Sequence, residues 1–225
     1  MRRNLAHGKV GIDFLDGFIH STMNELLITE GVDSSGLYGF YAARISGRLG
    51  GILEYEEGLA RYVLEHCSNR RIVEVGTGLG ELPIMLALNG LVAAGLEYEH
   101  RRFQAAAAIR MRLVNCFPEI VERYELINGA YPEALANTAW IGSDVTLLFT
   151  NVGAGWDCDR ADRAIKFFPR VGEVILELRT FGIVRESEAD RNGLFNRIAA
   201  GALSSERLPD LSPGAHFARF TFYQS

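Results

Sequence analysis

The stretch "RRIVEVGTGLGELPIMLALNGLVAAGLEYEHRRF" (70–103) constrains this chain more than any other. A β-branched run from Arg71 to Val75 enters a turn with glycines at 76, 78 and 80. A short apolar segment of helical character follows, and a second apolar run closes on Glu97. Each glycine has a physical task. Gly76 permits the sharp turn, Gly78 lets the backbone come close to a ligand, and Gly80 opens a helix whose free N–H groups favour an anionic group. Pro83 is tolerated in the first turn of that helix and Gly90 is placed to stop it. An acid such as Glu97, 21 residues after Gly76 at the end of the next strand, suits the two hydroxyls of an adenosine ribose.

The rhythm continues beyond this unit. Runs at 71–75, 91–97, 124–129, 144–150 and 173–178 read as strands. Their alternation with helical patterns predicts a mostly parallel sheet covered on both faces. Phe103, Ala106, Ala107, Met111 and Val114 give one helix an apolar face, and Ile52, Tyr55, Leu59, Tyr62, Val63 and His66 give another. "FARFTFY" (217–223) reads as a closing strand packed on the sheet. Residues 1–50 differ, being rich in glycine, with a helix predicted near 13–29 and no strand. They are expected to form an N-terminal extension beside a domain spanning 51–225, packed near the site or simply covering one face. Tyr38, Phe40 and Tyr41, among glycines at 31, 36, 39, 47, 50 and 51, suggest a lid over the site, with a core role as the alternative.

Of the 225 residues, 48% are hydrophobic and 23% charged, as in a globular protein with a real core. The net charge of −5 gives no overall basic field, so duplex nucleic acid is not the expected partner. Three scattered cysteines, Cys67, Cys116 and Cys158, argue for reduced thiols in a cytoplasm-like compartment. No apolar stretch reaches the roughly 20 residues needed to span a bilayer, so a membrane location is not expected.

The glycine spacing is G-x-G-x-G, and Glu81 stands where a dinucleotide fingerprint wants a small residue. Glu74, at the mouth of the turn, would repel a pyrophosphate by about 4 kcal/mol at 4 Å and an effective dielectric of 20. S-adenosylmethionine carries no phosphate, and its ammonium and sulfonium are attracted by a carboxylate. Charge and spacing therefore favour the methyl donor over NAD.

At this point the sequence resembles the class I S-adenosylmethionine-dependent methyltransferases across about 52–225. "VEVGTGLG" looks like their first motif and "GLEYE" like their second, with Tyr98 where adenine often packs. "LINGAYPEAL" looks like the motif after the third strand, and "DVTLLFTNVGAGW" like the fourth. Ala130 replaces an acid common in the family, which leaves the adenine amine to the backbone or to Tyr131. The resemblance implies a doubly wound, mostly parallel, seven-stranded Rossmann-like α/β sheet and methyl transfer to an acceptor, a small molecule ahead of protein or RNA. It implies a cofactor set of Glu74, Gly76, Thr77, Gly78, Gly80, Glu97, Tyr98, Ala130, Tyr131 and Asn151. No residue stands out as a general base, and none is assigned as catalytic. A non-catalytic binder or partner subunit of the same fold, or less favourably an NAD(P)-dependent oxidoreductase, remains as an alternative.

Other residues read more plainly. Trp156 walls the pocket or half-buries itself in a loop. Asp157, Asp159 and Asp162 read as a solvated acidic turn, since the only acid in "LELRTFG" after them is Glu177. His100 and the arginines at 101, 102, 110 and 112 read as a helix surface, and the five histidines have no metal spacing.

Overall fold

The computed structural model describes residues 14, 15, 17–19, 21, 22, 25, 52–67, 71–150, 152, 158–179, 187–209, 211, 212 and 214–223. The elements are α1 (Ile52–His66), β1 (Arg71–Val75), α2 (Glu81–Leu88), β2 (Val92–Glu97), α3 (His100–Cys116) and α4 (Ile120–Arg123). There follow β3 (Tyr124–Asn128), β4 (Gly142–Phe149), α5 (Cys158–Phe167), β5 (Val171–Glu177), α6 (Glu188–Ala199), β6 (Ser204–Arg207) and β7 (Phe217–Thr221).

Seven strands form one sheet in the order β3-β2-β1-β4-β5-β7-β6. The first five are parallel, and β7 runs antiparallel between β5 and β6. β1 lies at the centre and four of its five residues are buried, which is why "RIVEV" reads as a nearly continuous apolar run. Side chains alternate between two cores. Ile72, Ala93, Tyr124, Leu148, Ile175 and Phe217 pack beneath α1, α2 and α3. Val73, Ala94, Ile127, Leu147, Val174 and Ala218 pack beneath α5 and α6. Every residue of α2 is buried, consistent with a helix apolar on all sides.

Two expectations need correction. The run 217–223 does not close the sheet, because β6 lies outside it. β6 ("SSER") is exposed at all four positions, so it has no apolar alternation to betray it and is held through its ladder with β7. The arginines of α3 are also not a uniform solvated face. Arg110 Nε donates to the carbonyl of Tyr124 (3.1 Å), and Arg112 pairs with Glu25 (2.7 Å).

The described residues within 14–22 are helical, and Leu15 and Ile19 enter the same core as Ile72 and Leu82. Residues 31–50, with the expected lid aromatics, lie outside the described residues. No helix among the described residues is long and apolar enough to cross a membrane.

Candidate functional site

The glycine turn leaves the carboxyl end of β1 and enters α2. Gly76, Gly78 and Gly80 have φ of 74°, 62° and 84°, a region that side chains strongly disfavour. The N–H groups of Gly76 and Thr77 both donate to the carbonyl of Leu96 (2.8 and 3.1 Å), which pins the turn to β2. Gly80 has a second reason to be glycine: a Cβ there would lie 2.4 Å from the Tyr124 hydroxyl.

Three carboxylates gather around this turn. Glu74, Glu81 and Glu97 are all buried. The Thr77 hydroxyl donates to Glu74 Oε2 (2.7 Å) and the Thr150 hydroxyl to Oε1 (2.8 Å). Gly95 makes this possible, since a Cβ on it would sit 2.7 Å from Thr77 Cγ2. Burial pushes the Glu74 carboxyl up to about 8, against the pull of the two hydroxyls, and the charges of Glu81 and Glu97 add to the rise. Glu97 Oε2 accepts from the N–H of Gly78 (2.9 Å) and Oε1 from the N–H of Glu99 (2.8 Å). Each oxygen keeps a further lone pair for a hydroxyl. Glu99 caps α3, accepting from the N–H groups of Arg101 and Arg102.

Glu74, Gly76, Thr77, Gly78, Gly80 and Glu97 thus meet at one place. Tyr98 is highly exposed beside Glu97, and Ala130 is exposed beyond β3. Tyr131 goes elsewhere. Its ring is buried edge-on against Phe149 and Phe167, with its hydroxyl on the carbonyl of Ala164 (3.3 Å), so its side chain belongs to the opposite core. Asn151, Trp156 and Asp157 lie outside the described residues. Asp162 pairs with Arg197, and Asp159 is exposed in the first turn of α5. Among the described residues no group of three or more His, Cys, Asp or Glu side chains is arranged so that it could hold a metal ion.

Sequence reasoning missed Thr150, whose hydroxyl meets Glu74 only because β4 adjoins β1. It also missed Asn128, the register partner of Glu97 at the exposed end of β3. Nothing in the local pattern marks either one. The assembled set consists of buried carboxylates and outward-ending strands, with hydroxyl donors committed to Glu74. It suits a ligand rich in cationic and hydroxyl donors.

No protein-family model and no curated protein matches the sequence. Solved structures do match. The methyltransferase domain of bacterial CtHen1 superposes with a TM-score of 0.56 at 15% identity, covering 76% of this chain and 100% of that one. The METTL16 methyltransferase domain gives 0.58 at 14% identity, covering 97% of this chain and 87% of that one. The chain has the fold of the class I S-adenosylmethionine-dependent methyltransferases.

Proposed function

We propose that this protein is an S-adenosylmethionine-dependent methyltransferase acting on a small-molecule acceptor. The observation that carries the reading is the convergence of buried Glu74, Glu81 and Glu97 on a glycine turn at the carboxyl edge of a parallel sheet. The bound cofactor would supply an activated sulfonium methyl for in-line displacement. Glu97 accepts the ribose hydroxyls, and Glu74 offsets the ligand's positive charge. Gly76 and Gly78 keep the backbone low enough for the ligand to lie against it. The protein's part is orientation and exclusion of water, and an acceptor that arrives already deprotonated needs no base.

Calorimetry with S-adenosylhomocysteine, S-adenosylmethionine and NAD tests this directly. S-adenosylhomocysteine should bind and NAD should not. Charge-assisted hydrogen bonds contribute about 1.5–3 kcal/mol each, so Glu97→Ala should weaken binding by roughly tenfold or more. NAD binding more tightly than S-adenosylhomocysteine would replace this reading with a dinucleotide one.

A further inference from the structure

Helix α3 carries two apolar stripes, and one of them does not enter the core. Ala105, Ala106, Ile109 and Leu113 are its buried residues. Phe103, Ala107, Met111 and Val114, at i, i+4, i+8 and i+11, form the other stripe. These four are most of the apolar face that the periodicity of the sequence picks out, yet none of them is fully buried. They line a groove of about 570 Å³ where α3 borders α4 and the edge strand β3.

The groove has projecting and recessed parts side by side. Met111 and Val121 are 69% and 52% exposed, while Val114 and Leu126 pack against the core beneath. Ala107, one turn before Met111, leaves space by the smallness of its side chain. One charge of each sign lies in the same groove. Arg110 commits its Nε to the carbonyl of Tyr124 (3.1 Å), and Glu125 commits Oε2 to the indole N–H of Trp140 (2.6 Å). That leaves the Arg110 Nη groups as donors and Glu125 Oε1 as an acceptor. Arg112, which pairs with Glu25 of the N-terminal segment, stands elsewhere on the helix, about 140° around the axis from Ala107.

We propose that this groove is a dimer contact, filled by the same face of a second copy of the chain. A two-fold axis across α3 sets Met111 and Val121 of each copy into the groove of the other, and Arg110 of each against Glu125 of the other. An isologous contact repeats every interaction, so both ion pairs form together. A ligand or partner of a single charge would match one of these groups and oppose the other. The size also fits. With 17 residues, α3 is about 25 Å long, and with the α4–β3 rim the face is about 20 Å wide. Two such faces bury roughly 1,000 Å² in total, the lower bound for a specific contact, so a reversible dimer of roughly micromolar affinity is expected.

Sedimentation velocity of the full chain, from about 1 to 200 μM, tests this. The wild type should pass from one chain to two across that range. Met111→Asp should raise the dissociation constant at least about a hundredfold, with its melting temperature kept because the side chain is exposed. Arg110→Glu and Glu125→Arg should each weaken the dimer at least about tenfold, and their equimolar mixture should restore it, because the exchanged charges attract across both contacts. Rescue by mixing separates a lost contact from a misfolded variant. Met111 is one of four methionines, so its ε-methyl resonance is assignable by its loss in Met111→Leu. In a mixture of labelled and unlabelled chains it should show contacts to the unlabelled copy. A wild type that stays monomeric throughout overturns the proposal. So does a dimer indifferent to Met111→Asp, or a mixture no better than its components. A monomer whose Met111 methyl contacts its own chain across the groove gives the face to an intramolecular segment, and overturns it too.

Discussion

Glu74 is held by two hydroxyls in a place where its charge is costly, since burial and the neighbouring Glu81 and Glu97 all oppose ionisation. A carboxyl raised from 4.5 to about 8 is protonated at neutral pH in the free protein. Two consequences of opposite sign follow. Between these values the folded state holds a proton that the unfolded chain has released, so this residue's contribution to stability is lost as the pH rises towards 8. Binding of a cationic ligand instead favours the ionised form, so affinity should rise with pH. S-adenosylhomocysteine, through its ammonium, should bind up to about tenfold more tightly per pH unit between pH 6 and 7.5, releasing a proton. Calorimetry in buffers of different ionisation enthalpy measures that proton. Glu74→Gln should remove both the proton release and the pH dependence; if they survive, another group is responsible.

At the scale of elements, glycines mark where segments cross. In α1, a Cβ on Gly58 would lie 1.7 Å from the carbonyl oxygen of Leu211, a backbone atom with nowhere to go. Gly193 in α6 has nothing within 4 Å of such an atom. The two helical glycines should therefore respond oppositely to alanine. Gly58→Ala should destabilise by about 1–3 kcal/mol despite better helix propensity, and Gly193→Ala should stabilise by about 0.5–1 kcal/mol. Urea denaturation of both variants checks the pair, and equal shifts would mean that the Leu211 segment does not cross α1 at Gly58. The sequence shows two helical patterns at these places but not their opposite surroundings. For the same reason β6 escaped notice while β1 was plain. A buried central strand must be apolar, whereas an exposed edge strand need only supply backbone partners.

For the molecule as a whole, the N-terminal segment and the sheet share a core. Leu15 is fully buried with Ile19 among residues of α1, α2 and α3, and Arg112 reaches Glu25 across the surface. Leu15→Ala should cost about 2–5 kcal/mol, as for other buried leucines. Chemical denaturation should show one transition shifted as a unit. A second, independent transition, or no shift, would make the segment a separate attachment.

The chain's own sequence determined the glycine turn, the acids at its two ends, five of the parallel-sheet strands and the class of fold. These follow from local chemistry, because positive φ demands glycine and buried central strands demand continuous apolar runs. Only the tertiary structure decided which side chains meet across strands. Thr150 reaches Glu74 from 76 positions away, and β7 lies inside the sheet because β6 pairs beyond it. Tyr131 shows the same division. Its place just after β3 suggested the adenine side, but its ring finds a void between β4 and α5 that only the packed molecule contains, among Phe149, Ala164 and Phe167. Strand alternation and register send a side chain to one face or the other, and no local pattern records what waits there.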